Sequence, residues 1–184
     1  GDLRGARPQR NAMYDHGIAS LAVVEAYGVT KDTTLRPKAQ AAVDFIAETQ
    51  HEQGGWRYGP NEKGDLSVTG WFIMALASAK MSGLEVPDKT MKGAAKFLAS
   101  VSHGKNKGAY GYTGPGGGTP AMNAAGFFCS QLLGHSSNTA KAYESSVIVD
   151  RQAFQLNDIY YAYYGSVASY QHQGPAWRKW MGAM

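Results

Sequence analysis

The feature that most constrains this chain is an internal repeat of about 53 residues. Gly17, Gly70 and Gly126 each open an apolar stretch, and they stand 53 and 56 residues apart. The stretches end at Gly28, Gly83 and Gly134. A fourth copy is expected over 158–174, with Ala162 in the glycine position. The stretches are rich in Ala and Leu, so they read as helices rather than strands. Their terminal glycines suit the left-handed residue that follows a helix end. They are apolar nearly all round, as buried helices are. The reading predicts an inner layer over 18–27, 71–81, 127–133 and 159–170.

A more amphipathic helix follows each stretch. Over 36–50, Ala39, Ala42, Val43, Phe45 and Ile46 share one face. Over 87–101, Pro87 opens the helix and Met91, Ala94, Ala95 and Leu98 share a face. The third, 140–154, is less regular because Val147-Ile148-Val149 interrupts its periodicity. Glycine and aromatic residues then form a turn: Gly54-Gly-Trp56-Arg-Tyr58-Gly-Pro60 and Gly108-Ala-Tyr110-Gly-Tyr112. Gln171-His172-Gln-Gly174-Pro-Ala-Trp177 echoes the first turn, either as a third turn or as a short loop before a last helix. The unit is therefore buried helix, turn, amphipathic helix, Gly-aromatic loop. Such hairpins stack in tandem because none buries its apolar face alone. The expected fold class is all-α, with tandem helical hairpins in inner and outer layers. Residues 1–10, polar and without an apolar run, are expected to be a flexible N-terminal segment, and 11–184 a single domain of three to four hairpins.

Composition narrows the function. Hydrophobic residues make up 43% of 184, which excludes wholesale disorder. The longest apolar run, 71–77, is far short of the ~18 residues that span a membrane. Cys129 is the only cysteine, so CxxC metal sites are excluded. The net charge is +4, and the basic residues cluster no further than Arg178-Lys179, too sparse for a nucleic-acid footprint.

The segment Phe45-Ile46-xxx-Gln50-xxx-Gly54-x-Trp56 resembles the QW repeat of squalene and oxidosqualene cyclases. Ala41 holds the place of the basic residue that precedes the aromatic there. In the second unit Phe97-Leu98 is present, Ser102 replaces Gln and Tyr110 stands near the Trp position. With Asp15-His16-Gly17, Gly64-Asp65-Leu-Ser-Val-Thr69-Gly70-Trp71, Thr119-Pro-Ala-Met122 and Tyr160-Tyr161-Ala-Tyr163-Tyr164, the chain resembles bacterial proteins of the terpenoid cyclase and protein prenyltransferase α/α-toroid superfamily. The resemblance covers about 11–184 and implies a partial toroid, part of a larger one or closed by association. It also implies that Phe45, Gln50, Gly54 and Trp56 tie helix ends together.

The catalytic motifs of that superfamily are absent. Its cyclases protonate their substrate with D-x-D-D, and the comparable place here is Asp65-Leu-Ser67-Val-Thr69, with one carboxylate. Its prenyltransferases bind zinc through Asp, Cys and His, but Phe127 stands two residues before Cys129. No catalytic residue, metal ligand or cofactor is therefore assigned. Candidate pocket-lining residues are Asp15, His16, Trp71, Asp158, Tyr160, Tyr161 and Tyr164. Most also have a structural reading: Asp15 and Asp158 as helix caps, His16 as a helix-start residue, the tyrosines as packing. Gly114-Pro-Gly-Gly-Gly118 lacks the Lys-Ser/Thr of a phosphate loop and reads as a hairpin connection. Three functions remain open: a module that binds an isoprenoid, lipid, peptide or partner domain, a piece of an active cyclase or prenyltransferase with its catalytic residues elsewhere, or a scaffold. The expected partners are a hydrophobic small molecule or a partner domain, with self-association or further toroid repeats completing the fold. No nucleic acid and no membrane span are expected.

Overall fold

A computed structural model describes residues 1–5, 11–152, 154 and 156–184. Among them the chain is all-α: eight helices and a two-stranded antiparallel ribbon of two residues a strand. The chain divides into two compact units, Gly1–Phe97 and Leu98–Met184.

In the first unit, α1 (Ala12–Thr30) packs on α3 (Leu66–Ser82), and α2 (Arg36–Glu48) covers both. The fourth helix, α4 (Asp88–Val101), begins in this unit. Asp65 starts α3: its extended backbone leaves the carboxylate free to accept the Val68 N–H at 2.9 Å. Gly83 ends it in the left-handed conformation, as expected. Gly28 ends nothing. The first helix runs on to Thr30, and Lys31 takes the left-handed position instead. Gly28 is small for another reason, since a Cβ there would sit 2.3 Å from Ser82 Oγ.

In the second unit, β1 (Ser102–His103) pairs with β2 (Ala109–Tyr110). Then α5 (Pro120–Leu132) packs on α6 (Ala140–Gln152) and α7 (Ile159–His172), and α8 (Gly174–Ala183) covers α6 and α7. The echo at 171–177 is thus a break and a last helix. The third apolar helix starts at Pro120, seven residues before the predicted 127. Thr119 caps it by accepting from Met122 N–H at 3.2 Å, and Pro120 fits the first turn.

The four apolar helices differ in burial. α3 and α5 are buried nearly all round. α1 and α7 each bury one face and leave the other in water. The segment expected to be flexible falls partly on residues 6–10, outside the described residues. Gly1 to Gly5 are described, and Leu3 N–H donates to His16 Nδ1 at 3.0 Å.

The caps also set the repeat register. Gly54 and Gly108, Trp56 and Tyr110, Asp65 and Thr119, and Thr69 and Asn123 are each 54 residues apart and play matching roles. Pairing Gly70 with Gly126 is therefore a slip of two. In the second unit Gly126 lies under the Tyr110 ring and Gly165 under the Trp180 ring, where a Cβ would meet ring carbon at 2.1 and 2.3 Å. Counted from the caps Thr119 and Asp158, Gly165 matches Gly126. Gly165, and not Ala162, is the fourth glycine.

Candidate functional site

The place comparable to the cyclase acid motif is a closed polar network at the start of α3. Asp65 is fully buried. Its Oδ1 accepts from Val68 N–H and, at 2.7 Å, from Ser67 Oγ. The Tyr14 hydroxyl donates to Ser67 Oγ. Arg57 Nε lies 3.5 Å from Asp65 Oδ2. Below it, Trp56 N–H donates to Thr69 Oγ1 at 3.0 Å, and Asp65 N–H donates to Trp56 O at 2.9 Å. The network caps a helix and locks the Gly-aromatic loop to it. Its carboxylate works as an acceptor of helix and hydroxyl donors.

The predicted pocket residues fall in both units: Asp15, His16 and Trp71 in the first, Asp158, Tyr160, Tyr161 and Tyr164 in the second. Asp15 is exposed in the first turn of α1, and the cap position belongs to Asn11. His16 points the other way and is fully buried, with ring centroids 4.5 Å from Phe45 and 5.9 Å from Phe72. Its Nδ1 accepts from Leu3, so Nε2 carries the proton, 3.2 Å from Ala42 O and 3.1 Å from Ser20 Oγ. Burial pulls its pKa down to about 4, against the Ala42 carbonyl, so the ring is neutral near pH 7. Trp71 is half-buried beside Gly17.

In the second unit, Asp158 caps α7 by accepting Tyr161 N–H at 2.9 Å. The buried Tyr161 donates its hydroxyl to Val149 O at 2.9 Å. Tyr164 is buried against Tyr160 and Tyr163, at 4.9 and 5.2 Å between centroids. Cys129 is buried, and burial pushes its thiol up to about 12, far from a thiolate ligand. Among the described residues no group of three or more His, Cys, Asp or Glu could hold a metal ion.

Hydrogen bonds from two of the motif residues link helices. Trp56 is 1% exposed, and its indole N–H donates to Ile46 O at 2.9 Å near the end of α2. Gln50 donates to Gly54 O at 2.8 Å and reaches Thr90 O on α4 at 3.0 Å. Gly54, at φ 93°, lies so close to Gly93 of α4 that a Cβ would stand 1.9 Å from its carbonyl oxygen.

The cavities lie elsewhere in the second unit, against α6 and the α7–α8 break. One of about 290 Å³ is lined by Tyr143, Ser146 and Asp150 of α6, His172, Gln173 and Lys179 among others. An adjoining one of about 510 Å³ shares Tyr143, His172, Gln173 and Pro175. None of the predicted pocket residues lines either. Lys179 Nζ and Asp150 pair at 2.9 Å on one wall. The His172 Nδ1 atom is buried and meets no hydrogen-bond partner among the described residues. Burial lowers the His172 pKa, so its imidazole is neutral near pH 7. Gln173 holds φ 63°, ψ −164°, a conformation that strains any residue with a side chain. The sequence signal for this groove was the Gly174-Pro175 break. Which helix would face the break is a tertiary matter. No helix among the described residues is long and apolar enough to cross a membrane. No family model, no curated protein and no solved structure matches the chain.

Proposed function

We propose that the chain is a squalene-cyclase-like and prenyltransferase-like α/α-toroid module that binds a hydrophobic small molecule and carries no catalytic motif of its own. The observation behind this reading is the groove of α6, α7 and α8. It offers a mostly apolar wall with a few polar groups, and one of them, His172 Nδ1, is buried with nothing to bond. Sites for small ligands have this make-up. A ligand hydroxyl or amide would satisfy the imidazole, while Tyr143 and Pro175 flank its apolar body. The polar network at Asp65 supports the second half of the reading: the carboxylate is consumed by helix capping.

The test is titration with farnesol, an apolar chain bearing one hydroxyl, followed by the intrinsic fluorescence of the tryptophans, of which Trp177 and Trp180 lie in α8. Saturable binding is expected, weakened about tenfold in His172→Ala, the loss of one hydrogen bond of ~1.4 kcal/mol. Absence of saturable binding, or equal binding by the variant, contradicts the groove as the site.

A further inference from the structure

The groove of α6, α7 and α8 has two ends of different chemistry. The smaller cavity has Tyr143, Val147, Pro175 and Ala176 along its apolar side. Its charged groups, Asp150 and Lys179, are paired with each other at 2.9 Å. The larger cavity is lined, among the described residues, by uncharged groups. Ser137, Asn138 and Thr139 come from the turn before α6, and His172 and Gln173 from the α7–α8 break. Its volume of about 510 Å³ lies in the range of small-ligand sites, roughly 300 to 1,000 Å³.

The hydrogen-bonding groups of the larger cavity are of both kinds. Ser137 and Asn138 are exposed, and their side chains make no hydrogen bond to a described residue, so both are left to donate and to accept. Thr139 Oγ1 spends its proton on Ser136 O at 3.1 Å and accepts from Ala142 N–H at 3.1 Å. Gln173 gives an amide N–H to Tyr170 O and keeps Oε1 as an acceptor. A hydroxyl both donates and accepts, whereas a carboxylate or phosphate only accepts and an ammonium only donates. A head group with several hydroxyls matches this set, and a charged head leaves part of it unpaired. An anion would also lack a countercharge, because Lys179 is held by Asp150. Neither helix end in this wall is an open row of amides for an anion: Thr139 caps α6, and Pro175, which has no N–H, interrupts the first turn of α8. Tyr143 lines both cavities and is 68% exposed. An exposed aromatic ring buries the apolar C–H face of a pyranose.

We propose that the ligand of this groove is an uncharged amphiphile with a saccharide head, the head in the larger cavity beside Asn138 and Tyr143 and the apolar body in the smaller one. The proposal rests on the hydrophobic-ligand reading above and adds the class of head group. His172 lines both cavities, so its unbonded Nδ1 lies where head and tail join.

Three ligands with one tail test it: farnesol, farnesyl glucoside and farnesyl phosphate, each titrated below its micelle-forming concentration and followed by tryptophan fluorescence. The glucoside should bind saturably and at least about tenfold more tightly than farnesol, the worth of one or two added hydrogen bonds. The phosphate should bind no more tightly than farnesol. Asn138→Ala, at an exposed position, should cut the glucoside's advantage over farnesol at least about threefold, and Ser137→Ala should act in the same sense. Circular dichroism checks that both variants keep their helix content. Farnesol that binds while the glucoside gains nothing overturns the saccharide head and leaves the hydrophobic reading standing. Failure of farnesol itself to bind removes that reading, and the saccharide head with it. A phosphate that binds more tightly than the glucoside overturns the proposal in favour of an anionic head. An advantage unchanged in both variants takes the head out of the larger cavity and overturns the assignment.

Discussion

At Gly54–Trp56 the Gly-aromatic loop is fastened by a side chain that precedes it, just past the end of α2; at Gly108–Tyr110 the matching loop is fastened by a side chain that follows it, on α6. In the first unit Gln50 reaches forward to Thr90 O on α4. In the second, Glu144 on α6 reaches back and accepts from the N–H groups of Lys105, Asn106 and Gly108 at 2.9, 2.8 and 2.8 Å. Ser102, which the sequence offers in place of Gln, spends its hydroxyl on Ala99 O one turn back. The task is the same in both units, docking a loop onto a helix, α4 in the first and α6 in the second. The first solution is neutral and built on a carbonyl. The second is charged and built on amides. A repeat thus conserves backbone approach, through Gly54 against Gly93 and Gly108 against Lys141 and Ser145, while the polar fastening is free to change direction.

Removing an aromatic anchor should hurt most. Trp56→Ala deletes a ring packed edge-on to Phe72 at 5.2 Å and the bond to Ile46 O. A loss of about 3 to 5 kcal/mol is expected in denaturant unfolding. A midpoint equal to wild type would remove the anchor from the account. The docking glycines come next. Gly54→Ala combines positive φ with a backbone clash and should cost about 2 to 4 kcal/mol. Gly108→Ala meets Lys141 O at 2.6 Å without positive φ and should cost about 1 to 3 kcal/mol. Reversal of that order in paired melts would mean that φ does not set the difference.

The polar fastenings are smaller and separable by pH. Gln50→Ala and Glu144→Gln should each cost about 1 kcal/mol at pH 7. For Glu144, partial burial works against the charged form, and bonds from Gly108, Asn106 and Lys105 outweigh it, so its pKa lies below the usual carboxylate value. A lowered folded pKa means stability that is present above the unfolded value and lost as pH falls through the folded one. Melting temperatures across the acid range should therefore fall less steeply in Glu144→Gln than in wild type, while Gln50→Ala should run parallel to wild type. Two parallel curves would show that Glu144 carries no charge-dependent tie.

The smallest effect separates the two aromatics. The Trp56 indole N–H bonds a backbone carbonyl, whereas the buried Tyr110 hydroxyl lies beside the Ser130 and Ser145 hydroxyls, and burial pushes it up to about 12 against their pull. Tyr110→Phe should cost less than about 1 kcal/mol. A loss well above that in thermal unfolding would mean that the serine hydroxyls hold this oxygen as firmly as Ile46 O holds the Trp56 indole.

The helices and the repeat were legible because both rest on local pattern: Ala and Leu periodicity, Pro in a first turn, glycine after a helix end. Register was harder. Glycines invited an alignment of Gly70 with Gly126, but the caps Asp65 and Thr119 mark the true offset, and Thr119-Pro120 announced the start of α5 seven residues early. Gly28 read as a helix end because glycine serves both there and wherever helices approach closely, and only the Ser82 contact decides. His16 and Tyr161 have the chemistry of a site, and in the fold both are buried against backbone carbonyls. The groove at His172 depends on which helices meet, and no spacing encodes that.

One carboxylate, that of Glu144, holds a loop of the second unit to α6. Backbone hydrogen exchange reads it amide by amide. In the wild-type chain Lys105, Asn106 and Gly108 should exchange slowly, as should Tyr110, whose N–H donates to Asn123 at 2.8 Å. In Glu144→Ala the first three should approach the rates of an unstructured chain while Tyr110 stays protected. Fast exchange of all three in wild type, or their continued protection in the variant, would contradict the account.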